Sequence, residues 1–170
     1  MLNTQPYGGG LWHTWFDRDL GLAGRVIIRS ADGSLRSQLF RIDDPIARIP
    51  NLAIHLTSGS ERESFAPNLQ EHGKAILTLD TSLITSSVPE ATSDVDGRVH
   101  PALLALIAQK ISLDGGTIVD VEAQLIDVQK PSKGGAANEF IFSGRLDNLW
   151  FAAYIKMQYI MNILILIHKY

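Results

Sequence analysis

The chain has 170 residues, of which 45% are apolar and 19% are charged, and its formal net charge at pH 7 is -3. This composition is typical of a globular protein with a sizeable core, or of a piece of something larger. The negative charge argues against a nucleic-acid partner and against a basic patch for a membrane surface. Because the chain contains no cysteine, disulfides are excluded and any metal site must use histidine and carboxylate ligands.

The first forty residues predict an aromatic strand followed by a β-hairpin. Residues 12–17 are rich in aromatic side chains and follow three consecutive glycines, so we expect a strand there. These aromatic side chains fill a core or form a subunit interface. Residues 25–30 and 35–42 flank Asp32-Gly33, a dipeptide that favours tight hairpin turns, and they are predicted to pair antiparallel.

The next segment is predicted to be irregular. Pro45 and Pro50 are expected to bracket a turn, and residues 51–56 fit either one helical turn or a short strand. Residues 57–73 are polar, which indicates a loop.

A helix and further strands follow. His100-Pro101 places proline at a first helical position, and a stripe of apolar residues behind it predicts a buried helix face. Residues 117–128 alternate apolar and polar side chains, as a strand with one apolar face does. Residues 131–137 are expected to form a loop, and residues 140–142 a short strand. The predicted fold class is therefore mixed α+β, with mainly antiparallel pairing.

Four segments, in order along the chain, carry a resemblance to a known family. They are residues 7–26 (YGGGLWHTWFDRDLGLAGRV), residues 46–56 (IARIPNLAIHL), residues 65–68 (FAPN) with Glu71-His72 close behind, and residues 138–149 (NEFIFSGRLDNL). Together they resemble the aspartyl aminopeptidases, which are di-zinc exopeptidases. Four ordered matches make the resemblance specific, although no single one would suffice.

The resemblance implies a division of the chain into three parts. Residues 1–136 correspond to a β-rich dimerisation and substrate-capping domain. Residues 137–149 are the strand and turn that enter the catalytic domain of a larger α/β zinc exopeptidase fold, which is incomplete here. Residues 150–170 form an apolar tail that diverges from the family. One interpretation of the tail is a C-terminal helix that packs into the core, and the favoured one is a sequence that arises from a retained intron or a frameshift.

Asp147 is the candidate metal ligand. Considered alone, an aspartate after a strand and a turn is more often a cap or turn residue. The resemblance implies that Asp147 bridges two zinc ions, with one carboxylate oxygen on each. The family's other zinc ligands and its catalytic base have no counterpart in the chain. We therefore expect no catalytic residue here, no tight zinc binding and no peptidase activity of this chain by itself.

His55 is the candidate substrate-binding residue. The resemblance implies that it reaches from the dimerisation domain into a neighbouring subunit's active site and hydrogen-bonds the substrate or the developing oxyanion. The alternative is a partly buried histidine that lies between Ile54 and Leu56 and bonds to a backbone carbonyl.

The implied function is the removal of N-terminal Asp or Glu from peptides by a zinc aminopeptidase. The implied partners are the peptide substrate and further copies of the chain, as dimers that assemble into larger particles, in the cytoplasm or alternatively in a vacuole. A second hypothesis is a non-catalytic oligomerisation module that associates with full-length subunits. A third is a glycosidase-like pair formed by Asp17 and Asp19, although Arg18 between them favours ordinary salt bridges.

Overall fold

A computed structural model describes residues 1–80, 82, 95, 97–146 and 150–157 of the chain. The chain divides into two compact units, Met1–Val128 and Gln129–Tyr170. The three-part division at residues 136 and 149 concerns relation to the family, and it stays a prediction.

The first unit is built on a three-stranded antiparallel sheet in the order β2-β1-β3. Strand β1 spans Leu20–Arg29, β2 spans Leu35–Ala47 and β3 spans Thr117–Asp127. The predicted hairpin between β1 and β2 is confirmed. Gly33, with φ at +84°, lies in its turn, where a side chain would be strained.

Strand β2 runs further than the sequence indicated, and the turn predicted between Pro45 and Pro50 is wrong. The strand continues to Ala47, but its pairing with β1 shifts between Ile42 and Ala47. Proline lacks a backbone donor, and it is tolerated here because β2 is an edge strand with an irregular register at this point.

Strand β3 contains a bulge that the simple alternation did not predict. Ile27 pairs with Asp120 while Ile28 pairs with Ile118, so Val119 is the extra residue. One extra residue reverses which face the following side chains occupy. Ile118 therefore joins the same core cluster as Val121 and Leu125, which a strict alternation would place on the other face.

One helix covers a face of the sheet. Helix α3, which follows α1 (Gly59–Glu63) and α2 (Leu69–His72) among the described helices, spans Pro101–Lys110 and begins at the predicted proline. The His100 side chain caps it by accepting a hydrogen bond from the Ala102 amide at 3.1 Å. The largest fully buried side chains among the described residues come from this helix and the sheet, and they are Leu20, Val26, Ile28, Leu104, Ile107 and Ile118.

The aromatic segment is not a strand, which corrects the sequence prediction. Trp12–Trp15 form a 3₁₀ helix. Thr14 donates to the Leu11 carbonyl from both its amide, at 3.2 Å, and its hydroxyl, at 2.9 Å. Trp15 and Phe16 pack against a second core cluster, so part of the aromatic segment fills the core, as one of the two interpretations held.

The polar segment after the sheet is also more regular than predicted. Helix α1 spans Gly59–Glu63 and helix α2 spans Leu69–His72, within residues expected to form a loop. Their capping residues, Ser58 and Asn68, accept hydrogen bonds from helix amides. Short helices of this kind depend on such caps because few of their backbone groups are paired internally.

The second unit contains a small hairpin. Strand β4 spans Ser132–Gly134 and pairs antiparallel with β5, which spans Phe140–Phe142. The strand at 140–142 is confirmed, whereas the loop expected over 131–137 contains β4. Residues 150–157 are helical and exposed. With three antiparallel strands, a two-stranded hairpin and few helices, the predicted α+β class is confirmed.

Candidate functional site

The segment that carries His55 is an exposed turn, here called the His55 turn and defined as residues 51–57. Its middle, Ile54–Leu56, is a single turn of 3₁₀ helix, so the helical alternative for residues 51–56 is the correct one. The Leu56 amide donates to the Ala53 carbonyl at 2.8 Å. The Thr57 hydroxyl donates to the Ile54 carbonyl at 3.0 Å.

Residues 51–56 of the His55 turn are exposed. His55 is exposed, so the partly buried alternative is wrong. The apolar side chains around it are exposed as well, with fractions of 63% for Leu52, 62% for Ile54 and 70% for Leu56. Three large apolar residues beside one polar ring are a costly arrangement in water, and they are typical of a surface that meets another molecule.

Arg62 holds the C-terminal half of the turn. Its Nη2 donates to the Ile54 carbonyl at 2.7 Å and to the Thr57 carbonyl at 2.9 Å. Its Nε donates to the Thr57 hydroxyl at 3.3 Å. A guanidinium presents several donors in a fixed plane, so one side chain here joins both ends of a tight turn.

Helix α1 places Arg62 by means of a capping box. The Glu61 carboxylate accepts from the Ser58 amide at 2.7 Å, and the Glu61 amide donates to the Ser58 hydroxyl at 3.4 Å. The hydrogen bond from the Ser58 amide lowers the pKa of Glu61, because it stabilises the ionised carboxylate. The helix start is therefore fixed immediately after the turn.

Asp17 holds the N-terminal end of the turn. Its carboxylate accepts hydrogen bonds at 2.9 Å from the Asn51 amide and from the Asn51 side-chain Nδ2. The first of these bonds is the main cause that lowers the pKa of Asp17. Asp17 has a φ of 54°, a left-handed conformation that aspartate tolerates better than most residues. Its own amide donates to the Ile49 carbonyl at 2.8 Å.

A cavity of about 500 Å³ lies beside the His55 turn. Its lining comes from three of the four matched segments, with Phe16 from the first, Leu52 from the second and Phe65 from the third. Phe16 and Phe65 meet edge to face, with ring centroids 5.1 Å apart. The fold thus brings together segments that are separated by up to about fifty residues in the sequence, and the turn forms one rim of the cavity.

The predicted metal ligand, Asp147, lies outside the described residues. Among residues 1–80, 82, 95, 97–146 and 150–157, no group of three or more His, Cys, Asp or Glu could hold a metal ion. The described residues therefore do not by themselves fit a zinc ion, since such a site requires about three protein ligands.

The other acidic candidates have structural partners. Asp19 forms an ion pair with Arg48, as the salt-bridge interpretation predicted. Asp17 instead accepts the two hydrogen bonds from Asn51. Arg18, which lies between them in sequence, pairs with Asp127 at 2.5 Å. These contacts give both aspartates a role in the fold and leave the glycosidase-like pair without support.

Sequence reasoning missed Arg62 and Asn51. A signal for Arg62 was present, because Ser58-Gly-Ser-Glu61 matches the capping-box pattern that starts a helix. No local signal existed for Asn51, whose partner Asp17 lies 34 residues earlier.

No helix in the part of the chain that the structure describes combines the length and hydropathy needed to cross a bilayer.

Comparison with known proteins identifies the family. A family model described as "Aminopeptidase I zinc metalloprotease (M18)" matches residues 1–165, which includes part of the apolar tail. The chain is 41% identical over 169 residues to the "Probable aspartyl aminopeptidase" of Ricinus communis, covering 87% of this chain and 34% of that protein. The chain spans about a third of the length of the curated relatives that it matches.

Solved structures agree with this assignment. A chain in the cryo-EM structure of the Ape4 and Nbr1 complex matches with a TM-score of 0.71 and 44% identity, over 84% of this chain and 28% of that chain. The mApe1 dodecamer of S. cerevisiae matches with a TM-score of 0.58 and 27% identity, again over 84% of this chain and 28% of that chain. The family model, the relative and both structures lead to one assignment, that the chain belongs to the aminopeptidase I zinc metalloprotease (M18) family.

Proposed function

We propose that this chain supplies the dimerisation and substrate-capping part of a zinc aminopeptidase that removes N-terminal Asp or Glu from peptides. The His55 turn enters the active site of a partner subunit and brings an imidazole to the substrate there. The observation that carries this proposal is the turn itself, which is exposed, has three exposed apolar residues near a histidine, and is held at both ends by side chains from outside it.

His55 contributes a hydrogen-bond donor. An imidazole N–H donates to a carbonyl oxygen, and the bond strengthens as that oxygen gains negative charge during acyl transfer. A donor of this kind accelerates the reaction only if it is already in place when the charge develops. The hydrogen bonds at both ends of the His55 turn support this proposal, because they restrict the movement of the backbone that carries the imidazole.

The apolar residues of the turn have a separate role. When Leu52, Ile54 and Leu56 are covered by a partner, they exclude water from the space around His55. Hydrogen bonds to a developing charge are stronger in a site from which water is excluded.

The family's zinc belongs to the part of the protein beyond the described residues. Asp147 would be one ligand of that zinc, and bound zinc would polarise the scissile carbonyl and activate a water. Homo-oligomers, including particles larger than dimers, are proposed for the whole protein, and the named mApe1 dodecamer supports this. A reducing compartment such as the cytoplasm suits a chain without cysteine.

A complementation experiment tests the proposal. The 170-residue chain is mixed with the full-length Ricinus communis relative in which the histidine aligned with His55 is replaced by alanine. Hydrolysis of a peptide with N-terminal aspartate is measured, and native mass spectrometry records mixed oligomers. Because loss of one oxyanion donor costs about 10²–10³ in kcat, the wild-type chain should raise kcat at least tenfold over the relative alone.

The His55→Ala chain is the matched control. It should form mixed oligomers to the same extent and give no rise in kcat. An equal rise with both chains would contradict the role of His55 and support a non-catalytic oligomerisation module. Absence of mixed oligomers with either chain would contradict the proposal as a whole.

A further inference from the structure

The feature that carries a further inference is Arg62. All three hydrogen bonds that the structure gives its side chain end on the His55 turn, on the Ile54 carbonyl, the Thr57 carbonyl and the Thr57 hydroxyl. Its own position is fixed by the Ser58–Glu61 capping box one residue earlier. Arg62 therefore connects an anchored helix start to the backbone on both sides of His55.

The bonding pattern is specific to arginine. The two carbonyl acceptors and the hydroxyl lie at 2.7, 2.9 and 3.3 Å from two nitrogens of one guanidinium. A lysine ammonium carries its three donors on one nitrogen and has no planar fork, so it does not reproduce bonds from two nitrogens held in one fixed plane. The Ile54 carbonyl also accepts from the Thr57 amide at 3.4 Å and hydroxyl at 3.0 Å, but these donors lie within the turn. Removing Arg62 therefore leaves the internal bonds of the turn in place and takes away the donors that join it to helix α1.

We propose that Arg62 is a positioning residue, which holds the His55 imidazole in the geometry that its substrate contact requires. This inference rests on the proposed function, because Arg62 does not contact the substrate in this proposal and acts only through His55. The turn then has its functional conformation before a partner subunit binds.

The expected effect is on turnover and not on assembly. A misplacement of about 1 Å in a catalytic contact can reduce the rate by about 10²-fold. In the mixed oligomers described above, the Arg62→Ala chain should lower kcat by at least about tenfold relative to the wild-type chain. KM and the fraction of mixed oligomer should change by less than about twofold, because the exposed apolar residues that dock remain.

A double-mutant cycle separates positioning from a general structural role. If Arg62 acts through His55, then Arg62→Ala has no further effect on kcat when His55 is already alanine. A residue that merely supports the fold lowers kcat by the same factor in both backgrounds. Arg36→Ala is the matched control, since Arg36 is also exposed and donates to the Gln38 side chain within β2 at 2.6 Å, away from the His55 turn.

A second variant and a second readout guard against misfolding. Thr57→Val removes the hydroxyl that accepts from Arg62 Nε and donates to the Ile54 carbonyl, while the two bonds from Arg62 Nη2 to backbone carbonyls remain. It should lower kcat in the same direction by a smaller factor. Hydrogen exchange of the Leu56 amide should accelerate in Arg62→Ala while the amides of β1 keep their protection.

The outcomes distinguish the two proposals. If His55→Ala has no effect on kcat, the proposed function fails and the inference fails with it. If His55→Ala lowers kcat while Arg62→Ala does not, or lowers it equally in the presence and absence of His55, the positioning role of Arg62 alone is contradicted. A loss of kcat that vanishes in the His55→Ala background supports it.

Discussion

Replacement of Asp17 by asparagine should loosen the His55 turn without affecting the core. Asn51 donates two hydrogen bonds at 2.9 Å to the Asp17 carboxylate, one to each oxygen. Asparagine keeps the tolerance for a φ of 54°, but its single carbonyl oxygen can replace only one of the two acceptors, and its charge is zero. The two hydrogen bonds between Asn51 and Asp17 are here called the tether. The variant therefore weakens the tether and leaves the backbone conformation at position 17 unchanged.

The size of the effect follows from the exposure of the pair. Hydrogen bonds to charged groups contribute about 1.5–3 kcal/mol, but Asp17 and Asn51 are both exposed, and solvent screening reduces this to about 1 kcal/mol. A change of about 1 kcal/mol is about fivefold in the equilibrium for local opening. The protection factor of the Asn51 amide in hydrogen exchange should fall by about that factor, while amides of β1 do not change.

The tether should also depend on pH, with a sign set by the lowered pKa of Asp17. The pKa lies below its ordinary value of 3.8 because Asn51 bonds to the ionised form. A carboxylate whose pKa is lowered in the folded state stabilises that state above the ordinary pKa. The contribution is lost as the pH falls below about 4 through the lowered value. Asp17→Asn should abolish this acid-sensitive component of Asn51 protection.

Asp32→Asn is the control for this prediction. Asp32 accepts two similar hydrogen bonds, from the Ser34 amide at 2.9 Å and the Ser34 hydroxyl at 2.7 Å, in the hairpin turn. Its replacement should alter exchange in that turn and leave the Asn51 amide unchanged. Unaltered Asn51 protection in Asp17→Asn, at neutral pH and during acid titration, would refute the tether.

Two further predictions concern the fold that supports the turn. Gly24→Ala should destabilise the chain by about 3 kcal/mol or more, because a Cβ there would lie 2.0 Å from a backbone oxygen of β3. Gly59→Ala should be tolerated, because a Cβ there meets nothing within 4 Å. Urea unfolding monitored by circular dichroism compares the two variants, and equal unfolding midpoints would contradict the close packing at Gly24. Asp127→Ala removes a carboxylate that pairs with Arg18 and whose side chain is only 6% exposed. The free energy of unfolding should fall by about 2 kcal/mol, which lowers the thermal unfolding midpoint by about 4–8 °C. An unchanged midpoint would show that the pair contributes nothing to stability.

The parts of the fold that were predictable depend on local signals. Asp32-Gly33 between two apolar runs was enough to predict the hairpin, because that dipeptide favours the tight turn regardless of context. Proline at position 101 and the apolar stripe behind it were enough to predict α3. Both signals lie within a few residues of the structure they specify.

The parts that were not predictable depend on distant contacts. The bulge at Val119 is visible only when β3 is aligned against β1. The aromatic segment forms a 3₁₀ helix and then turns sharply at Asp17, whose partners Ile49 and Asn51 come from beyond the hairpin. High β-propensity of aromatic residues was therefore overridden by tertiary contacts.

The candidate site likewise contains residues that a sequence signal identifies and residues that it does not. The resemblance singled out His55, and the structure places it on an exposed turn. Sequence reasoning missed Arg62 because the polar composition of residues 57–73 indicates a loop, although the Ser58-to-Glu61 spacing predicts a helix start. The role of Asp147 stays a prediction, since that residue lies outside the described part of the chain.

The most direct test of the central claim is to identify what position 55 touches in an assembly. His55 is replaced by the photoreactive residue p-benzoylphenylalanine, the chain is mixed with the full-length Ricinus communis relative, and cross-linked peptides are sequenced by mass spectrometry. Leu35, which is 64% exposed at the start of β2, carries the same probe as a control. The proposed role predicts cross-links from position 55 to the active-site segments of the relative's catalytic portion, and none there from position 35. Cross-links from position 55 that stay within its own chain would contradict it.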